Sequence, residues 1–146
     1  MCFIYDRNEY AASTWTLEHM ELREALHAFD RYGFKNVEIW ADTVHLDPRC
    51  QPDIPGTKQL LRELGMRVHS LHAPFRNYKN PPLSEEAFRR LRTDMVKKTI
   101  DYAYELESRI LVLHAVDRKE YNYSARELPL VQAYVGEIAD YAARRD

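Results

Sequence analysis

Two histidines each close an apolar run. His72 ends Met66-Arg67-Val68-His69-Ser70-Leu71-His72, and His114 ends Arg109-Ile110-Leu111-Val112-Leu113-His114. Imidazole carries protons near neutral pH and is a common ligand of divalent metals. A long amphipathic stretch lies between the two runs, so together they read as a strand–helix–strand unit with parallel strands. Parallel α/β folds keep their chemistry where the strands end, which brings both imidazoles to one pocket. Glu38 is the third candidate. In Asn36-Val37-Glu38-Ile39-Trp40-Ala41, alternation turns Val37 and Ile39 one way and Glu38 and Trp40 the other. With the aliphatic pair under helices, Glu38 points inward with the histidines. One carboxylate and two imidazoles could bind zinc, manganese or iron(II), or could move protons. The competing reading of each histidine is a hydrogen-bonded structural residue.

Other polar positions receive plainer readings. On the third strand His72 is expected to share a face with Ser70 and Val68, leaving His69 to the helix layer. On the fourth, His114 shares a face with Val112 and Ile110. His19, His27 and His45 are read as ordinary surface positions. Arg89-Arg90-Leu91-Arg92 with Lys97-Lys98 is read as the solvated exterior of a helix. Trp15 and Trp40 stand near pocket ends of strands, where a sugar or another flat ligand could stack. No phosphate-cradling glycine loop, cysteine pair at metal spacing or serine elbow occurs.

These residues are carried by alternating elements. Tyr10-Ala11-Ala12-Ser13-Thr14-Trp15 is a weak first strand. Thr16 is expected to cap a helix whose stripe is Leu17, Met20, Leu22, Ala25, Leu26 and Phe29, stopped by Gly33. The segment 36–41 is the second strand, and 42–55, with three prolines, is mostly loop. A helix over 57–64 ends at Gly65 and leads to the strand ending at His72. Ser84 caps a long helix running to about Glu107. The fourth strand spans 110–115, and a last helix starts at Ser124 or Ala125 and runs to about Arg145, with Pro129 tolerated early in it. The result is one domain over residues 1–146: four consecutive βα units with parallel strands. That is either a small doubly wound sheet or half of an eight-unit barrel, because a whole barrel needs roughly 200–250 residues or more.

Composition narrows the function classes. A net charge of −2 offers no general attraction to nucleic acid or to an anionic membrane. No apolar run approaches the length of a membrane span, and the first residues lack the pattern of a signal peptide. Cys2 and Cys50 read as free thiols in a reducing compartment, so a cytoplasmic location is expected.

Three stretches carry a resemblance. The run from Ala25 to Trp40 resembles the first helix and second strand of the xylose-isomerase-like TIM barrel superfamily, which holds sugar phosphate isomerases and epimerases and endonucleases that cut at abasic sites. Leu64-Gly65-Met66 through His72-Ala73-Pro74 resembles its third strand, and Thr99 through His114 its third helix and fourth strand. The match runs from about Ser13 to the C-terminus and covers the N-terminal half of the barrel. It implies metal-dependent proton transfer on a sugar, sugar phosphate or polyol, with manganese, zinc, cobalt or magnesium as cofactor. It implies that His72 and His114 are metal ligands or substrate-pocket residues, and that Glu38, which matches a common glutamate of the family near the pocket, is the candidate catalytic residue; Trp15 and Trp40 are read as substrate-binding from their places at the strand ends. The family's fifth-strand glutamate, a metal ligand, has no counterpart here, so the 146 residues are expected to be inactive alone or truncated. Two copies are expected to be able to close one barrel as a homodimer. The other readings are a non-catalytic half-barrel that binds or scaffolds, and a zinc phosphodiesterase of the endonuclease type. Leu106-Glu107-Ser108 stands where Leu-Gly-Ala is common in the family.

Overall fold

The computed structural model describes residues 9–75, 84–115 and 128–145. Four parallel strands form one sheet in the order β1-β2-β3-β4: Ala11–Ser13, Asn36–Trp40, Arg67–His72 and Leu111–Val112. Each strand is followed by a helix: α1 (Leu22–Arg31), α2 (Ile54–Glu63), α3 (Glu85–Glu105) and α4 (Leu128–Ala143). Sequential strands pair directly with their neighbours, which is half of a (β/α)8 barrel. The start expected for α4 at Ser124 or Ala125 lies outside the described residues.

The main core fills the space between one face of the sheet and α1–α3. Val37, Ile39, Val68 and Leu71 meet Leu26 and Phe29 of α1, Leu60 and Leu61 of α2, and Ala103 and Leu106. A second cluster joins Ala73 to Val96 and Ile100 of α3 and Ile138 of α4. Burial of these side chains is the main drive for the layering.

Several boundaries differ from the sequence expectation, each for a local reason. Thr16 does not cap a helix. Thr14–Leu17 is a 3-10 turn in which the Thr16 hydroxyl donates to the Ser13 carbonyl, and α1 begins only after Glu21. The stripe at Leu17 and Met20 therefore belongs to the lead-in. Trp15 sits in this turn and not on the strand. α2 begins at Ile54, three residues earlier than expected, because Asp53 caps it through the Gly56 amide and Pro55 occupies its first turn. β4 is two residues long rather than six.

A bulge breaks the alternation in β3. Val37 pairs with Val68, but Glu38 pairs with Ser70, so His69 is an extra residue. Val68 consequently lies in the helix-side core, not on the face of Ser70 and His72. His69 is exposed and lines a groove with residues of α2. His45, expected at the surface, is buried: its Nε2–H donates to the Met20 carbonyl and its ring meets Trp40 edge-on. His19 and His27 are exposed. No described helix is long and apolar enough to cross a membrane.

Candidate functional site

The inward face of the sheet carries two polar layers. In the deeper one, Ser13, Glu38 and Ser70 are register partners on three adjacent strands. The Ser13 hydroxyl donates to Glu38 Oε1 at 2.9 Å and the Ser70 hydroxyl to Oε2 at 3.0 Å. Both carboxylate oxygens thus accept from donors on the neighbouring strands, an arrangement that fixes the side chain. The register also shows how the layer arises, since a glutamate in the middle strand meets its direct neighbours on either side.

One step further along the strands, Trp40 pairs with His72 and His72 with Val112. Here the two histidines converge: His72 Nε2 and His114 Nε2 lie 3.2 Å apart. His72 Nδ1 is 2.9 Å from the Ala73 carbonyl, which can only accept, so Nδ1 carries the proton and Nε2 presents a lone pair. His114 then donates its Nε2–H across the gap. Arg92 of α3 donates to the His114 carbonyl and fixes the end of β4. That residue leaves the solvated helix exterior expected for its basic run. Lys97 pairs with Glu137, and Lys98 donates to the Pro48 carbonyl.

An aromatic wall stands over the pair. Phe75 stacks on His114 at 4.8 Å between centroids and meets His72 at 5.2 Å. It also touches Trp15 at 5.4 Å and Trp40 at 5.9 Å. Trp40 is fully buried, whereas Trp15 is 48% exposed. Trp40 is the floor of the cluster and Trp15 its solvent-facing edge. The Trp40 amide donates to the buried Thr14 hydroxyl, which ties the floor to the end of β1.

The structure therefore gathers Trp15, Trp40, His72 and His114 at the carboxyl ends of the strands, with Glu38 one layer beneath. Sequence reasoning did not find Phe75, nor the roles of Ser13 and Ser70 as partners of Glu38. Alternation had placed Ser70 on the face of His72, but only the register shows which residue it meets. Phe75 follows Pro74 beyond the strand, where no periodicity assigns a direction.

Two imidazole nitrogens on one tetrahedral zinc, at about 2.0–2.1 Å each, would be roughly 3.4 Å apart, close to the 3.2 Å observed. The pair fits as two ligands of one ion. Among the described residues no group of three or more His, Cys, Asp or Glu side chains is gathered to hold a metal, so further ligands would have to come from elsewhere. The loop after β2 is pinned separately: Arg49 pairs with Asp47 and Asp42, both buried.

A profile of the family described as "Xylose isomerase-like TIM barrel" matches residues 26–146. A D-tagatose 3-epimerase-like protein is similar in structure, with a TM-score of 0.72 and 23% identity over 92% of this chain and 49% of that one. D-allulose 3-epimerase from Methylomonas sp., solved in complex with D-allulose, gives 0.59 and 26% identity over 84% of this chain and 42% of that one. A sugar phosphate isomerase/epimerase from Parabacteroides distasonis gives 0.63 and 14% identity over 99% and 50%. The chain spans about half the length of these structures. No curated protein matches it.

Proposed function

Because the chain belongs to the xylose isomerase-like TIM barrel family, we propose that it supplies the sugar-binding and metal-holding half of an isomerase- or epimerase-type site. The observation that carries this reading is the convergence of His72 Nε2 and His114 Nε2 at 3.2 Å beneath Phe75 and Trp15. A sugar ring has apolar C–H faces and a polar rim. The aromatic wall suits the former and the imidazole pair the latter.

A divalent ion held by His72 and His114 would polarise the hydroxyl and carbonyl oxygens of such a ligand. The chain's own residues do the rest. Ala73 fixes the tautomer of His72, Arg92 fixes the end of β4, and Trp40 closes the pocket floor. Ser13 and Ser70 hold the Glu38 side chain in place in the layer below, where a carboxylate would favour a cation above. Glu38 is the chain's candidate for a proton acceptor on a neighbouring carbon, and its two serine partners set its orientation. Moving a proton out and back would require a second acid–base group. In the resemblance that group belongs to later strands, so the chain alone is expected to bind and not to turn over.

The test is saturation-transfer NMR with D-allulose and with a sugar phosphate, with and without manganese-free zinc, on the wild type and His114→Ala. Zinc-dependent transfer to the ligand that His114→Ala abolishes is the expected result. Transfer that ignores both zinc and His114, or no transfer under any condition, would overturn the reading. Solvent deuterium entering the sugar would show that the chain also catalyses exchange. Its absence alongside binding identifies a binding half-barrel.

A further inference from the structure

Three helices of this chain end in the same way. Gly33, Gly65 and Glu107 all have a left-handed backbone, with φ of 80°, 59° and 61°. In each case the left-handed residue donates its amide to the carbonyl three residues back, and the next residue donates to the carbonyl five back: Gly33 to Asp30 and Phe34 to Phe29, Gly65 to Arg62 and Met66 to Leu61, Glu107 to Tyr104 and Ser108 to Ala103. This helix stop favours glycine because a Cβ is strained there. Two stops obey the preference and one does not.

The exception places a carboxylate at one point of a basic groove. Glu107 Oε1 is 2.8 Å from Lys58 Nζ and 3.6 Å from Arg62 Nη2. Lys58 and Arg62 stand one helical turn apart on the same face of α2, so both cations converge on a single oxygen. The groove, of about 380 Å³, is also lined by Arg67 and by His69, which the β3 bulge turns outward. Ser108 braces that bulge by donating to the His69 carbonyl at 3.2 Å. Glu107 is the one carboxylate among the lining residues. The groove lies at the amino ends of β2 and β3, opposite the histidine pair.

Exposed ion pairs contribute little to stability. Glu107 and Arg62 are both about 70% exposed, so the fold gains little from a strained backbone at this position. We propose that the groove binds the phosphate group of a small molecule, and that the Glu107 carboxylate is a tethered competitor occupying the same two cations. Lys58 and Arg62 would take the phosphate oxygens where Oε1 now sits, with Arg67 and His69 as further donors along the groove.

Inorganic phosphate is titrated calorimetrically into the 146-residue chain at constant ionic strength, with sodium chloride as the balancing salt. Glu107→Gly removes the charge and the strain, and Glu107→Gln removes the charge alone, so a folding artefact in one is checked by the other. The expected result is that both variants bind phosphate at least tenfold more tightly than the wild type, and that adding Lys58→Ala to either returns affinity to the wild-type level or below. Equal affinity in all three proteins, or a gain that Lys58→Ala leaves untouched, would overturn the proposal.

Discussion

His72 and His114 place their Nε2 atoms 3.2 Å apart, although His72 ends β3 and His114 lies two residues past β4. The contact depends on two backbone anchors. Ala73 holds Nδ1 of His72 and so aims its other nitrogen, while β3 and β4 stay in register through Leu71 and Leu111. A histidine pair fixed in this way is preorganised for a shared ligand, because the cost of orienting both rings is met by the fold and not at binding.

The floor of the pocket rests on one buried hydroxyl. Thr14 is fully buried and accepts the Trp40 amide at 2.9 Å. Thr14→Val keeps the shape and removes the acceptor, leaving a buried N–H unpaired. The expected loss is about 1–3 kcal/mol in urea unfolding. Thr14→Ser, which restores the oxygen, should recover most of it.

Glu38 depends on its flanking serines. Ser70→Ala removes a 3.0 Å hydrogen bond to a charged acceptor at a buried position, for an expected loss of about 1.5–3 kcal/mol. In the variant Glu38→Gln the same serine change should cost less, since the acceptor is then neutral. A double-mutant cycle measured by urea unfolding reads this coupling directly.

His45 gives the fold a defined acid sensitivity. Burial is the main cause that pushes its pKa below the usual 6.5, against weaker opposing effects of the Met20 carbonyl and the acidic Glu21 and Glu18. The unfolded chain therefore takes up a proton on His45 near pH 6.5 while the folded chain resists it. This contribution to stability is complete above about pH 6.5 and is lost as the pH falls from there towards the lower folded value. Thermal denaturation between pH 7.5 and 5 should show a steeper drop for the wild type than for His45→Gln. Parallel curves would refute the assignment.

The outer strands and α4 present exposed apolar side chains that a second copy of the chain could cover. Ile110, Leu128, Leu130 and Val135 are each 40–49% exposed, and among the described residues β1 and β4 each have one neighbour in the sheet. Since the chain spans about half of the barrels it resembles, a second half-barrel is the expected occupant. Light scattering at tens of micromolar should give a mass of at least two chains, and Val135→Asp with Leu130→Asp should reduce it. A monomer at that concentration contradicts this.

The βα rhythm was legible because apolar runs alternate with amphipathic stretches, and it fixed the parallel sheet and the neighbourhood of His72 and His114. Features that depend on one extra residue were not legible. The bulge at His69 moves Val68 to the opposite face, and no sequence period announces an insertion of one. His45 read as surface because its loop is rich in polar residues. Its burial follows from how that loop folds back over Trp40 and against Met20. Thr16 looked like a cap, but its hydroxyl closes the preceding turn on Ser13 instead. Glu107 showed in the sequence as a departure in a turn, yet its left-handed backbone and its two cations across the groove appear only in three dimensions.

The most direct measurement is calorimetric titration of zinc into the wild-type chain, His72→Ala and His114→Ala, with circular dichroism confirming that each variant is folded. If the two imidazoles share one ion, the wild type binds zinc through both and either substitution weakens it by about 100-fold or more, to similar extents. Zinc affinity unchanged in both folded variants would contradict the shared site, and with it the assignment of this sheet end as the metal-holding half of a sugar isomerase- or epimerase-type pocket.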